Sequence, residues 1–332
     1  MGDRSTLAVT RVLPDAGMDQ LRSAEATGEI VLRVHPGEMP PTAEELDALL
    51  AGAGGAITLV TDPVTPELLD RNPALRVVSN FAVGYDNIDV PAATERGVAV
   101  CNTPGVLTET TADFAFTLLV AAARRVVEGV DYVRAGRWRT WGPTLLLGRD
   151  LYKATIGIVG FGRIGKEMAK RAAGFDMRIL AYDAYRDEEA AKALGVTFVE
   201  LYELLRESDF VTLHCALTEE TRHLIGAREL GKMKRDAVLV NAARGPVVDT
   251  DALTQALRDG TIWSAALDVT DPEPLPADHP LIGMPNCIVV PHIASATVAT
   301  RNNMATLAVE NALAVLQGRT PPHCVNPEVL GR

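Results

Sequence analysis

Three strand-like segments in the second half of the chain each run into a residue that can handle a proton or an anion. Val238-Leu239-Val240-Asn241 leads through Ala242-Ala243 to Arg244. Ala266-Leu267-Asp268-Val269 leads into an acidic, proline-stiffened loop that holds Glu273, and Val289-Val290-Pro291 ends in His292. A planar guanidinium pairs with a carboxylate through two parallel hydrogen bonds. Imidazole exchanges a proton near neutral pH, and a carboxylate bonded to it orients the ring and favours its charged form. Together these groups can protonate an oxygen on which negative charge develops while holding an acidic substrate. Each has an ordinary reading when taken alone: a surface ion pair for the arginine, a solvated loop for the glutamate, a structural role for the histidine. Their succession at three strand ends carries the argument, because an open α/β sheet binds its ligands along that edge.

Upstream lies a second signal. Ile156-Gly157-Ile158-Val159-Gly160-Phe161-Gly162-Arg163-Ile164-Gly165 reads as a strand, a glycine-rich turn and the start of a helix. Gly160 permits the tight turn, Gly162 lets a pyrophosphate approach the backbone, and Gly165 lets helix and strand pack closely. The helix start, with Arg163 and Ile164 in its first turn, offers unpaired N–H groups and a partial positive charge. Asp183 ends the next strand, 18 residues after Gly165. Its carboxylate can accept both ribose hydroxyls and repels a 2′-phosphate, so the expected cofactor is NAD, with NADH preferred over NADPH. Arg186 is the one nearby group that can tolerate a phosphate.

The surrounding elements must place these groups. Short apolar runs at Leu7–Thr10, Ile30–Val34, Ala56–Leu59, Val77–Asn80 and Val98–Cys101 alternate with helical segments at Ala16–Ala24, Ala43–Leu50, Pro66–Asp70 and Pro91–Arg96. A long helical stretch from about Thr108 to Gly136 follows, apolar all round in its middle and therefore expected to be buried. It ends in an irregular loop carrying Trp138 and Trp141. A second alternating series has strands at 156–159, 178–182, 210–214, 237–241, 264–269 and 288–290. A last helix, about Thr297–Leu316, is expected to pack back on the first region. The fold class is thus α/β, with two doubly wound parallel sheets. The expected domains are a flavodoxin-like substrate domain, discontinuous over 1–102 and 296–332, and a Rossmann nucleotide domain over 103–295.

The bulk numbers limit the partners. The 332 residues carry a formal net charge of -11, with 47% hydrophobic and 23% charged residues. That balance fits a globular protein and disfavours nucleic acid. It gives an anionic substrate no general attraction, so local cations or backbone N–H groups must capture it. The four cysteines are widely spaced and none forms a C-x-x-C pair, so no metal site and no disulfide framework is expected. No signal peptide or membrane span is read, and a cytoplasmic protein is expected.

At this point the sequence resembles the D-isomer-specific 2-hydroxyacid dehydrogenase family, and within it the glyoxylate/hydroxypyruvate reductase branch. The stretches that carry the resemblance are "NFAVGYDNIDVPAATERGVAVCNTPGVLTETTADFAFTLLVAAARR", "GRWRTWGPTLLLGRDLY", "IGIVGFGRIG", "VNAARGPVVD", "ALDVTDPEP" and "PHIASAT". It implies hydride transfer from NADH to a small 2-oxo acid, with Arg244, Glu273 and His292 as the catalytic set and a cleft between the two domains. It implies that the N–H groups of Val83 and Gly84 help hold the substrate carboxylate, with Ser295 nearby. That would meet the anion problem without net charge. His214, Ala242, Ala243 and Asp268 are assigned to the cofactor side. The resemblance also implies a homodimer in which Trp141, rather than Trp138, reaches the partner's site. One departure concerns Leu213-His214-Cys215-Ala216, where the family commonly has Pro in place of Ala216; it bears on the surroundings of the adenosine ribose. Phosphoglycerate and phosphite dehydrogenases are same-fold alternatives, and a corepressor-type NAD-sensing protein is an alternative of another class.

Overall fold

The computed structural model describes residues 4–331. The chain divides into two compact units, one made of Met1–Leu107 with Ala296–Arg332 and the other of Thr108–Ser295. The first unit contains β1 (Ser5–Val9), β2 (Ile30–Val34), β3 (Gly55–Thr58), β4 (Val77–Asn80) and β5 (Ala99–Cys101). All pair in parallel, in the order β2-β1-β3-β4-β5. Every residue of β3, β4 and β5 is buried, as strands covered on both faces require. The late helix Val298–Leu316 belongs to this unit. Ser79 of β4 donates its hydroxyl to the Ala308 carbonyl at 2.8 Å, and the Asn311 amide reaches the Asn102 carbonyl at 2.9 Å.

The second unit holds β6 (Thr155–Val159), β7 (Arg178–Tyr182), β8 (Val196–Phe198), β9 (Phe210–Leu213), β10 (Val238–Asn241), β11 (Ser264–Leu267) and β12 (Cys287–Val289). The sheet is parallel throughout, in the order β12-β11-β10-β9-β6-β7-β8. Strand periodicity splits its core in two. Val238 and Val240 join the apolar face of the helix Thr108–Ala123, whereas Leu239 faces the opposite cluster with Leu253 and Leu257. The strand order reverses between β6 and β9, which puts a crevice at the carboxyl end of β6.

Two expectations are corrected. The stretch from Thr108 to Gly136 is two helices, Thr108–Ala123 and Val126–Arg134, because Arg125 adopts a left-handed conformation with φ 52°. The break is held from both sides: the Arg149 N–H takes the Ala123 carbonyl at 2.8 Å, and the Arg125 guanidinium grips Glu128 at 2.7 and 2.8 Å. The strand β8 lay unread in the sequence. It has three residues, one of them exposed, directly after the left-handed Gly195 that ends a helix. None of the described helices is long and apolar enough to cross a membrane.

Candidate active site

The glycine turn after β6 is tight. Gly160 sits at φ +93°, and a Cβ there would meet the Cys215 amide nitrogen at 2.4 Å. A Cβ on Gly165 would meet the Gly160 carbonyl oxygen at 2.1 Å, so the helix Arg163–Ala173 starts flush against the turn. Nothing lies within 4 Å of the Cβ position of Gly162, which begins the helix. Arg163 is exposed in the first turn and Ile164 packs into the core. Asp183, just past β7, accepts the Phe161 N–H at 2.6 Å and the Tyr185 N–H at 2.8 Å. Its carboxylate is therefore fixed beside the turn. The Arg186 guanidinium is drawn to Glu200 at 2.7 Å and lies over the Phe198 ring.

His214 follows β9, and its backbone packs on Gly160. Its Nε2 is 2.8 Å from the Thr212 hydroxyl, while the buried Nδ1 has no partner among the described residues. Burial lowers its pKa to about 3, so the ring is neutral. Burial likewise pushes the Cys215 thiol up to about 11. A dinucleotide fits this turn: an open glycine at a helix start for the phosphates, a fixed carboxylate at the next strand end for the ribose, and an unsatisfied nitrogen close by.

The groups with acid and anion chemistry come together in the same unit. Glu273 Oε1 and His292 Nδ1 are 2.7 Å apart. Burial pushes the Glu273 carboxyl up, but the His292 hydrogen bond and charge, the Thr270 N–H and Arg244 outweigh it, and the net pKa is lowered. His292 itself is held in the left-handed region, φ 53°, which a β-carbon disfavours. Asp268 supplies the restraint. Its carbonyl accepts the His292 N–H at 2.9 Å, and its carboxylate accepts the N–H groups of Ile293 and Ala294 at 2.7 and 3.0 Å. Desolvation nevertheless raises the pKa of this buried carboxyl, with those two N–H bonds acting against the rise. Ser295 follows directly and is half-buried.

Arg244 sits on a turn closed by Asn241, whose amide donates to the Arg244 carbonyl at 2.9 Å and accepts the Ala243 N–H at 3.1 Å. Ala242 is buried and Ala243 half-buried. Gly245 then lies so close to the next loop that a Cβ would meet the Thr270 carbonyl oxygen at 1.8 Å. This contact seats the arginine turn against the loop that bears Glu273. Asn241 was missed in the sequence, although Asn at a strand end before small residues is a known turn former. The other residues singled out there have their own surroundings. Val83 and Gly84 form a half-buried turn after β4, in the first unit, and Trp138 and Trp141 are 62% and 78% exposed.

Comparison with known proteins identifies the family. The pattern described as "D-isomer specific 2-hydroxyacid dehydrogenase, NAD binding domain" matches residues 116–294. A glyoxylate reductase of Korarchaeum cryptofilum is 50% identical over 323 residues, covering 97% of this chain and 96% of its own. A crystal structure of a Thermus thermophilus protein superposes with a TM-score of 0.90 at 48% identity, covering 96% of this chain and 99% of its own. An NADPH-dependent glyoxylate/hydroxypyruvate reductase of Sinorhizobium meliloti, solved with NADP and malonate, gives a TM-score of 0.84 at 30% identity over 99% of both chains. With a nicotinamide-nucleotide fold and full-length relatives of this kind, the chain belongs to the D-isomer specific 2-hydroxyacid dehydrogenase family and is an oxidoreductase of that type.

Proposed function

We propose that the chain reduces glyoxylate or hydroxypyruvate with NADH, giving glycolate or D-glycerate. The observation that carries this reading is the Glu273–His292 pair at 2.7 Å, seated in one unit with the Arg244 turn and the glycine turn. When bound, the nicotinamide supplies the hydride for the carbonyl carbon. His292 is the acid: Glu273 fixes the ring through Nδ1, and the proton passes from Nε2 to the carbonyl oxygen as charge builds there. The ionised Glu273 stabilises the imidazolium. Arg244 polarises the carbonyl and holds the carboxylate, which is also assigned to the N–H groups of Val83 and Gly84. The 2-oxo acid is supported by the names of the relatives, and NADH by Asp183, whose fixed charge opposes a 2′-phosphate while Arg186 is engaged by Glu200.

We assign a homodimer to the exposed apolar face of the helix Val126–Arg134, with Trp141 completing the partner's site. The test is NADH and NADPH oxidation with glyoxylate, hydroxypyruvate and pyruvate. The wild type turns over the first two acids, with a higher kcat/KM for NADH than for NADPH. His292→Ala loses roughly 10²- to 10⁴-fold in rate while still binding NADH. No turnover on any acid with NADH bound would reject the reading.

A further inference from the structure

The turn after β4 is tethered by its carbonyl groups, one after another. The Ala82 carbonyl accepts the Thr103 N–H at 2.8 Å, the Val83 carbonyl accepts the Asn102 side-chain amide at 2.8 Å, and the Gly84 carbonyl accepts the Asn80 side-chain amide at 2.9 Å. A carbonyl can only accept, so the amide nitrogen of Asn80 must face Gly84. The Thr58 hydroxyl holds that orientation by donating to Asn80 Oδ1 at 3.2 Å. The second hydrogen of the Asn80 amide is aimed at Asn87 Oδ1, 3.1 Å away. Asn87 in turn donates to the carbonyls of Leu59 and Asp62 at 3.0 and 2.8 Å. Thr58 and Asn80 are 1% and 0% exposed, so this is a buried, mutually satisfied network at the ends of β3 and β4.

The consequence follows from the planar trans peptide, in which the C=O of one residue and the N–H of the next point in opposite directions. Tethering the carbonyls of residues 82, 83 and 84 turns the N–H groups of Val83, Gly84 and Tyr85 away from the tethers. Among the described residues, the amides of Val83 and Gly84 form no hydrogen bond. Successive N–H groups held in this way make an anion-binding concavity without a net charge.

We propose that Thr58, Asn80 and Asn87 are positioning residues, which lock this turn so that three N–H groups, Tyr85 included, are presented to the substrate carboxylate. The proposal rests on the assignment of that carboxylate to this turn. Asparagine is required at position 80 because a donor must meet Gly84 while an acceptor meets Thr58. Asn80→Asp puts an acceptor against the Gly84 carbonyl and releases it. Thr58→Val keeps the shape and removes only the donor that orients the amide, so it tests the network even if Asn80→Asp folds poorly.

Both variants are compared with the wild type for kcat and KM on glyoxylate and on glyoxylamide, its neutral amide, and for NADH affinity by fluorescence titration. A lost or misoriented buried hydrogen bond predicts a kcat/KM on glyoxylate lower by about 10- to 100-fold, through KM, for Asn80→Asp, and by less for Thr58→Val. Activity on glyoxylamide changes little, and NADH affinity stays within about twofold. Equal losses on the acid and its amide, weakened NADH binding, or an unchanged KM would overturn the proposal. If the wild type does not reduce glyoxylate, the functional reading fails separately. Calorimetric titration of oxalate into the NADH-loaded proteins then reads the tether by itself. Weaker oxalate binding in the variants supports it, and equal behaviour in all three proteins overturns it.

Discussion

At the scale of the residue, the carboxylate of Glu273 decides how His292 is held. The lowered pKa of Glu273 keeps its carboxylate charged to lower pH than an ordinary glutamate, whose value is 4.5. Its contribution to folding is thus present above that value and lost as the pH falls through the lowered one. In catalysis the same carboxylate holds His292 Nδ1 at 2.7 Å, so Glu273→Gln, which weakens that bond, should lower kcat/KM for reduction by at least about tenfold. Unchanged kinetics in this variant would show that the pair does not position the acid. His214 adds a stability dependence of the same sign at higher pH. With a folded pKa of about 3 against an ordinary 6.5, the unfolded chain binds one more proton between those values. Stability is complete above pH 6.5 and declines as the pH falls towards 3. Urea unfolding of His214→Asn should therefore lose less stability between pH 7 and pH 5 than the wild type, by about 2 kcal/mol. An identical pH dependence in the two proteins would mean that the ring already protonates in the folded state.

At the scale of the element, seating is decided by close backbone contact, as Gly245 shows. A Cβ 1.8 Å from the Thr270 oxygen cannot be absorbed by a side-chain rotation, so Gly245→Ala must push the Arg244 turn away from the loop of Glu273. A displacement of about 1 Å there predicts a loss of roughly 10²-fold in kcat/KM, with about 1–3 kcal/mol of destabilisation. Gly283→Ala, where nothing lies within 4 Å, is the control and should change stability by no more than about 0.5 kcal/mol. Contacts of this kind also mark where the sequence is legible. The runs that became β2, β4 and β7 declare themselves as short apolar stretches, as a sheet covered on both faces requires, and the helix Ala43–Leu50 by the spacing of its buried Leu46 and Leu50. Gly160, Gly165 and Asp183 were readable for a different reason: a turn that approaches a phosphate admits few residue types. The break at Arg125 was not readable, since an arginine in the left-handed region is set by the chain around residue 149, which no local pattern reveals. The same holds for Asn80, whose side chain looks like an ordinary polar strand end. Asp268 was singled out for the cofactor side, but its hold on Ile293 and Ala294, 25 and 26 positions on, was not readable.

At the scale of the whole molecule, one exposed apolar face stands out among the described residues. The helix Val126–Arg134 buries no residue, yet Val126, Val130 and Val133 recur at the spacing that places them on one helical face, 48%, 42% and 53% exposed. Val127, Trp138, Trp141 and Leu147 add exposed apolar surface in the same stretch of chain. Exposed apolar side chains grouped on one helical face are what an association surface needs, and a stable one covers about 800 Å² on each partner. A charge placed at its centre has to be desolvated on association, which costs far more than a single methyl contact returns. The wild type should therefore run at about twice its chain mass of 35.5 kDa in light scattering, and Val130→Asp with Val133→Asp should run as a monomer. Trp141→Ala separates assembly from chemistry: it should remain a dimer, because the valine face of the helix is left intact, while kcat/KM on glyoxylate falls. A monomeric wild type would remove the homodimer assignment. A dimeric Trp141→Ala with unchanged kinetics would leave the dimer standing and confine Trp141 to the packing of the interface.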